Sequence, residues 1–286
     1  MSTLLTLLPL LAFAPQTSEI EFVGEEIMLP MDLSTGHVAV MVRINGSEPL
    51  LFQVDTYASI DACIDDDLAA SLGLETVGTT SNSDGVATRE KRLVEIEELQ
   101  CGGATFRNLR TLVDDYDWIK RSDGKRVSGL LGFTAFRDLL VTFDYPAEVL
   151  VLRQGNLDPQ TPHVIPFTDP SGAPDIDLMF RGSALRFGID TGHQSALSLN
   201  RSDAESLGLG DSLELMGQGR SAYSTFSIWG ASYPEVVGFA GHSLRDLKLR
   251  FVEGKARRLL GYELLKDYAM TFDQERKLVL LVAADS

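Results

Sequence analysis

Cysteine and histidine are scarce in this sequence, which limits two common ways of stabilising a fold. Cys63 and Cys101 are the two cysteines among 286 residues, so no disulfide framework can form. The pair could make one disulfide in an oxidising compartment or remain as two buried thiols, and the sequence leaves both alternatives open. The four histidines lie far apart and no Cys-x-x-Cys occurs. Because this pattern lacks the spacing of metal ligands, we predict no metal site.

Basic side chains are also in short supply. Lys and Arg number 25 against 41 Asp and Glu, which gives a formal net charge of −16. Phosphate backbones attract Lys and Arg, and no basic run interrupts the acidic excess, so we predict no nucleic-acid partner. Hydrophobic residues at 44% and charged residues at 23% are ordinary values for a globular protein. A disordered, collagenous or coiled-coil chain is therefore excluded.

Hydrophobic runs long enough to cross a membrane are missing as well. The apolar stretch Leu4–Ala14 is too short to span a bilayer as a helix, and no later segment reaches that length. It ends in Ala12-Phe13-Ala14, the small-x-small pattern of a signal-peptidase site. A buried N-terminal strand or helix is the alternative, which the polar segment after it disfavours. We therefore predict a signal peptide at residues 1–14, an exported protein (periplasmic or secreted) and no membrane span.

An internal repeat organises the rest of the chain. Four short blocks occur twice in the same order, which is hard to obtain by chance. The pairs are Phe52–Thr56 with Phe187–Thr191, Leu72–Leu74 with Leu207–Leu209, Leu130–Gly132 with Leu259–Gly261, and Thr142–Asp144 with Thr271–Asp273. A turn-rich segment near residues 155–162 separates the two copies. We predict one lobe at residues 20–154 and a second at residues 162–286.

Strands dominate the pattern in both copies. Alternating valines at 38, 40 and 42 predict a strand with one apolar face, and Asn45-Gly46 predicts a turn after it. Short helices are predicted at residues 65–72 and 202–207, each stopped by a glycine. Ser202 and Glu205 have the spacing of a capping box at the start of the second helix. The units are therefore expected to be mostly β.

Asp55 and Asp190 occupy the same place in the two copies, each directly after an apolar strand. Two carboxylates held together cannot both ionise, because like charges strongly raise one pKa. One of them can then deprotonate a water while the other protonates a substrate carbonyl, which is chemistry that cleaves amides. Asp144 and Asp273 also recur, but each begins a turn between strands and is interpreted as structural.

The second copy combines Asp190-Thr191-Gly192 with Leu259-Leu260-Gly261. This combination resembles the retropepsin-like aspartyl proteases, and most closely the bacterial-type proteins in which two such units are fused in one chain. The resemblance implies a mostly β fold with two homologous β-barrel lobes and an active-site cleft between them. It implies a catalytic pair of Asp55 and Asp190, with Thr56 and Thr191 linking the two active loops, and a peptide or protein substrate. By position, hairpin flaps are expected at Ser81–Thr88 and Gly217–Tyr223.

Tyr57 is the main departure from the family pattern, because it stands where the family has glycine. It could block the water site, or it could swing outward and line a subsite. Gly192 keeps the family glycine, but His193 follows it where small residues are usual. His193 could tune the carboxylates electrostatically or be held by a hydrogen bond within its loop.

Two hypotheses about function follow. The first is an aspartic endopeptidase; the alternative is a catalytically impaired or inactive protein of the same fold that binds peptides or plays a structural role. The segment Gly217–Ala222 fits a dinucleotide-binding pattern, but no helix is predicted after it, so no cofactor is expected. Because the repeat supplies both aspartates, we expect a monomer.

Overall fold

The computed structural model describes residues 19–83, 87–116, 124–220, 224–253 and 257–284. The predicted signal peptide at residues 1–14 lies outside the described residues. Within these segments no helix is both long and apolar enough to cross a membrane.

Short strands make up most of the first half of the described chain. Its elements are β1 (Glu19–Phe22), β2 (Glu26–Pro30), β3 (Ala39–Ile44), β4 (Leu50–Asp55), β5 (Ala62–Asp65), α1 (Asp66–Ser71), β6 (Thr76–Ser83), β7 (Thr88–Cys101), β8 (Ala104–Asp114), β9 (Val127–Gly132), a 3₁₀-helix (Phe133–Phe136), β10 (Leu140–Asp144) and β11 (Val149–Arg153). The predicted turn between β3 and β4 is present, because Asn45 and Gly46 both adopt positive φ angles of 48° and 76°.

The second half has a similar succession of elements. These are β12 (Val164–Pro166), β13 (Asp175–Phe180), β14 (Ser183–Ile189), β15 (Leu197–Asn200), α2 (Asp203–Ser206), a 3₁₀-helix (Gly210–Ser212), β16 (Glu214–Arg220), β17 (Thr225–Tyr233), β18 (Val237–Phe239), β19 (His242–Leu244), β20 (Leu247–Val252), β21 (Leu259–Leu260), α3 (Tyr262–Leu265), β22 (Tyr268–Asp273) and β23 (Leu278–Ala283). The capping box predicted at Ser202 is wrong. Ser202 has helical φ and ψ angles and its side chain makes no capping bond, because an N-cap side chain needs extended backbone to reach the first turn.

Two large sheets define two lobes with the same strand order at their centres. The first lobe is the eight-stranded sheet β1-β8-β5-β9-β4-β3-β7-β6, and the second lobe is the nine-stranded sheet β16-β17-β20-β15-β21-β14-β13-β18-β19. In the first lobe β7 also pairs with β8, which closes six strands into a barrel. In the second lobe β17 pairs with β20 while the separate strand β18 pairs with β13, so that sheet stays a half-barrel. The predicted mostly β, two-lobed fold is confirmed.

Parallel pairing places the repeated motifs side by side within each lobe. Strand β4 runs parallel to β9, and β14 runs parallel to β21. The strand that leads to each repeated aspartate therefore lies beside the strand that carries the repeated Leu-Leu-Gly. The two lobes therefore have the same pair of parallel strands beside the repeated aspartate.

A third sheet joins the lobes. It has the order β12-β23-β22-β10-β11-β2, so each half of the chain contributes three adjacent strands. Strands β10 and β22 pair at its centre with Thr142 opposite Thr271, and the two hydroxyl oxygens lie 2.7 Å apart. Asp144 and Asp273 end these strands and accept backbone N–H bonds in the turns that follow, from Ala147 and Arg276 respectively.

A continuous hydrophobic core runs through both lobes and the joining sheet. Aromatic rings pack edge to face where the parts meet, with Phe133 and Phe272 ring centroids 5.2 Å apart. Phe143 and Phe167 extend this cluster against Phe272 at about the same spacing, 6.0 and 6.1 Å. A packed interior that both lobes share therefore lies where they meet the joining sheet.

Both cysteines are free and buried, so the structure favours the two-thiol alternative over a disulfide. Burial raises the pKa of each thiol to about 12, which leaves almost no reactive thiolate at neutral pH. We expect neither thiol to react with Ellman's reagent in the native protein, and both to react once guanidinium unfolds it. A reducing agent should leave the melting temperature unchanged. Immediate labelling of the native protein, or a reductant-sensitive melting temperature, would contradict this assignment.

Candidate active site

Each predicted catalytic aspartate is held at the end of a central strand. Asp55 is the last residue of β4 and pairs with Gly132 of β9. Asp190 follows the end of β14, and its backbone N–H donates to the carbonyl oxygen of Leu260 at 2.9 Å. Both carboxylates are therefore fixed by backbone pairing with the Leu-Leu-Gly strand of their own lobe.

The repeated glycines Gly132 and Gly261 allow the active loops to pass close by. A Cβ atom at Gly132 would overlap the carbonyl oxygen of Ile60, and one at Gly261 would overlap the carbonyl oxygen of His193. The residue after each glycine donates its backbone N–H to the adjacent loop, as Tyr262 does to the His193 oxygen at 2.8 Å. Glycine is required at both places because any side chain would displace the loop that carries the aspartate.

Thr56 and Thr191 link the two active loops through four buried hydrogen bonds. The backbone N–H of Thr56 donates to Thr191 Oγ1 at 3.0 Å, and the N–H of Thr191 donates to Thr56 Oγ1 at 3.1 Å. Each hydroxyl then donates across the interface, from Thr56 to the Ile189 carbonyl and from Thr191 to the Val54 carbonyl, both at 2.6 Å. These reciprocal bonds hold the ends of β4 and β14 together.

The carboxyl groups of Asp55 and Asp190 consequently lie within hydrogen-bonding reach of each other. The backbone N–H of Tyr57 donates to Asp55 Oδ1 at 2.8 Å, and that of Gly192 donates to Asp190 Oδ1, also at 2.8 Å. Burial raises the pKa of both carboxyls, and the neighbouring charge of Asp55 raises the pKa of Asp190 further, well above its usual range. Two buried carboxyl groups this close cannot both be charged, so we expect the pair to hold one proton between them.

Gly192 is needed for space and not for its conformational freedom. A Cβ atom there would lie 2.8 Å from Asp55 Oδ2 and 3.2 Å from Asp190 Oδ1. Its φ angle is not among the positive values of the chain. Tyr57, the equivalent residue of the first lobe, has no positive φ either, so the substitution of glycine by tyrosine causes no backbone strain.

The side chain of Tyr57 packs onto the second lobe. Its ring covers Gly188, where any Cβ atom would overlap the aromatic carbons. Its hydroxyl lies 3.2 Å from Asp175 Oδ1, to which it donates, and accepts from Arg257 Nη1 at 2.9 Å. Of the two alternatives for Tyr57, the structure therefore has the ring turned outward, with its hydroxyl bonded away from the two carboxylates.

Removing the Tyr57 hydroxyl should destabilise the protein without disturbing the ring packing. We expect Tyr57→Phe to lower the free energy of unfolding by about 1–2 kcal/mol, because Asp175 and Arg257 both lose a hydrogen-bond partner. Urea unfolding measures this. Tyr262→Phe is the matched control, since that hydroxyl makes no hydrogen bond with the described residues, and it should change stability by under about 0.5 kcal/mol. Equal stability of parent and Tyr57→Phe would show that these contacts do not persist in solution.

His193 is held by a hydrogen bond, as the second alternative expected, but its partner lies on β15 and not within its own loop. Its Nε2 lies 2.8 Å from Ser198 Oγ, and burial lowers the pKa of the imidazole to about 4. The ring is therefore uncharged above that pH and adds no positive charge beside the carboxylates. The adjacent Gln194 crosses to the first lobe, where its Nε2 donates to the Thr35 carbonyl oxygen at 2.8 Å.

The predicted flap segments both fall at the ends of hairpins. Strands β6 and β7 pair up to Ser83 with Thr88, and β16 and β17 pair up to Arg220 with Thr225. The residues between these pairs include 84–86 and 221–223, which lie outside the described residues. The dinucleotide-like Gly217–Ala222 segment begins within strand β16, and strand β17 comes next instead of the helix that such a site needs.

Acidic groups cluster once among the described residues, at Asp65, Asp66 and Asp67. Asp65 caps α1 and accepts from the backbone N–H of Tyr116 and from Arg126 Nη2. Its carboxylate oxygens are already committed to protein donors, so the cluster is explained by helix capping and ion pairing.

Several contacts around the site have no signal in the sequence. Asp175 and Arg257 meet Tyr57 from positions 118 and 200 residues away. The contact of Gln194 with the loop at Thr35 spans 159 residues. Neither repetition nor periodicity marks these residues, so sequence reasoning missed them.

Comparison with known proteins agrees with this geometry. Residues 40–135 match the family model of the aspartyl proteases. The chain is similar in structure to the aspartic proteinase from Irpex lacteus, with a TM-score of 0.54 and 12% identity over 91% of this chain and 98% of that one. No curated protein sequence matches the chain. The resemblance seen in the sequence is therefore confirmed: residues 40–135 carry the pattern of the aspartyl protease family, and the chain as a whole has the two-lobed aspartic protease fold.

Proposed function

We propose that the protein is an aspartic endopeptidase in which Asp55 and Asp190 together activate a water molecule. The observation that carries this proposal is the set of four threonine hydrogen bonds, which holds the two strand ends together and so brings the two carboxyl groups close to each other. The outward position of Tyr57 supports it, because the tyrosine hydroxyl is bonded to Asp175 and Arg257 and not to the pair.

In the proposed mechanism Asp190 starts protonated and Asp55 carries the negative charge, in keeping with the direction in which the charge of Asp55 raises the pKa of Asp190. Asp55 takes a proton from water as the oxygen attacks the peptide carbonyl, and Asp190 gives its proton to the carbonyl oxygen. The resulting tetrahedral intermediate has two hydroxyl groups. When the C–N bond breaks, the nitrogen takes the proton held by Asp55 and one hydroxyl returns its proton to Asp190.

The proposed substrate is a peptide or a protein segment bound in extended form between the lobes. One chain supplies both carboxylates, so catalysis by this route needs no second copy, and we propose a monomer. The signal-peptide pattern at residues 1–14 is the basis for proposing that the enzyme acts after export, in the periplasm or outside the cell.

Cleavage of a mixed library of unstructured peptides tests the proposal. The purified protein would be assayed from acid to neutral pH beside Asp190→Asn, with both shown to be folded by circular dichroism. Products from the parent alone are expected and would give the residue preferences on each side of the cleaved bond. The same products from both proteins would overturn the proposal. No cleavage by the folded parent would favour the alternative, a protein of this fold that binds peptides without hydrolysing them.

A further inference from the structure

Tyr57 and Gly188 form a matched pair at the side of the cleft. Gly188 lies in β14, two residues before Asp190 along the chain, and the Tyr57 ring covers it. The absent side chain at Gly188 leaves the space that the ring occupies. The strand that leads to Asp190 is therefore covered at Gly188 by an aromatic ring from the first lobe.

Arg257 lies next to the Tyr57 ring. Its Nη1 donates to the Tyr57 hydroxyl at 2.9 Å and to Ser171 Oγ at 2.6 Å, and its guanidinium carbon lies 5.6 Å from the centre of the tyrosine ring. The residue is exposed. Its guanidinium group is thus held in place by two hydroxyl groups while part of it faces solvent.

Arg257 forms no salt bridge with a carboxylate of the described residues, and the hydrogen bonds of its guanidinium group go to two hydroxyl groups. Four other arginines of the second lobe form such a bridge: Arg181 with Glu235, Arg186 with Asp177, Arg201 with Glu253 and Arg258 with Asp203. In a chain with 41 acidic and 25 basic residues, carboxylate partners are abundant. Asp175 accepts from the Tyr57 hydroxyl to which Arg257 donates, and its charge also acts on Arg257. No described carboxylate bonds the guanidinium group directly, and its exposed side is open to a ligand.

We propose that Arg257, positioned by Tyr57, forms a subsite that binds a carboxylate of the substrate close to the scissile bond. Tyr57 connects the two groups, since its N–H donates to Asp55 Oδ1 and its hydroxyl accepts from Arg257. An extended peptide advances about 3.3 Å per residue, so we expect Arg257 to serve a substrate residue within about three positions of that bond. The carboxylate can belong to an Asp or Glu side chain or to a free C-terminus. Arg suits this task because its planar N–H groups match the geometry of a carboxylate. This inference rests on the proposed peptidase function.

Matched peptides test the subsite and separate the two carboxylate sources. One series carries Glu or Gln at each of three positions on either side of the bond that the parent cleaves, and a second series has a free or amidated C-terminus. We expect a carboxylate at one position to raise kcat/KM about fivefold to tenfold over its neutral partner. The preference should fall to about one in Arg257→Met and keep part of its size in Arg257→Lys. Arg153→Met, at an exposed arginine of the joining sheet, is the matched control and should keep the preference.

Two results would overturn the inference while leaving the peptidase function intact. One is cleavage by the parent without preference for a carboxylate, and the other is an undiminished preference in Arg257→Met. If the parent cleaves nothing, the subsite is tested by binding instead. Asp190→Asn would be titrated with fluorescent Glu and Gln peptides, with and without Arg257→Met. Tighter binding of the Glu peptide that depends on Arg257 supports the subsite, and equal or undetectable binding of both peptides overturns it.

Discussion

Asp55→Asn and Asp190→Asn should each lower the rate of peptide cleavage by about 10³-fold, and the double variant should lose little more. The reason is that one carboxyl must accept a proton from water while the other donates one, so losing either member disables both. Steady-state kinetics on a peptide identified from the library measures this. Asp211→Asn, at an exposed aspartate of a 3₁₀-helix, is the control and should retain the parental rate.

The same variants separate a catalytic pair from two independent carboxylates. If the losses of the single variants multiply in the double variant, the two groups do not act as a unit. A second readout is stability. Asp190 has its pKa raised in the folded protein, so it contributes most stability below the ordinary carboxyl range, and this is lost as the pH rises through the raised value. Asp190→Asn should therefore be more stable than the parent at neutral pH and no more stable in strong acid.

Thr191→Val should lower the free energy of unfolding by about 2–4 kcal/mol. Valine keeps the shape of threonine but removes Oγ1, which leaves the buried Thr56 N–H and the Val54 carbonyl without their partners. Urea unfolding followed by fluorescence measures the change, and cleavage should fall as well because the two strand ends are no longer held together. Thr79→Val, at an exposed position of β6, is the matched control.

The result that would contradict this second prediction is a Thr191→Val protein with the stability and the activity of the parent. Such a result would mean that the joining sheet alone sets the distance between the carboxylates. Thr56→Val removes the other two bonds of the set, to the Thr191 N–H and the Ile189 carbonyl, and should have an effect of similar size.

The sequence predicts those parts of the site in which the residue type depends on the local backbone or on the repeat. Asp190 is recognisable because an aspartate recurs after an apolar strand in both copies, and Gly261 because the close approach of another backbone leaves no room for a side chain. The two-lobed fold follows from the same repetition. The sequence also explains why the sheet of the second lobe does not close into a barrel. Strand β17 ends at Tyr233 and Pro234 follows, and a proline nitrogen cannot donate a hydrogen bond to a partner strand. The corresponding β7 of the first lobe runs uninterrupted over 14 residues.

Contacts between distant residues could not be predicted in this way. The position of the Tyr57 ring depends on the space that the missing side chain of Gly188 leaves in the other lobe. Its hydroxyl partners Asp175 and Arg257 are ordinary charged residues without a pattern. The predicted capping role of Ser202 is wrong for a local reason. The spacing of a capping box does not determine the backbone angles that let the side chain reach the first turn.

The joining sheet has a consequence for the symmetry of the molecule. Each half supplies three strands and would, if alone, present β10 or β22 as an uncovered edge, the kind of edge that pairs with another copy. Covalent fusion of the halves removes the requirement that they be identical. In a symmetric assembly of two identical halves, every substitution would occur twice. A tyrosine at position 57 would then need a residue without a side chain opposite it in both halves. In the fused chain, the first lobe has Tyr57 and the equivalent residue of the second lobe is Gly192. The two sides of the cleft are therefore chemically different, so we expect the proposed peptide substrate to bind in one preferred direction.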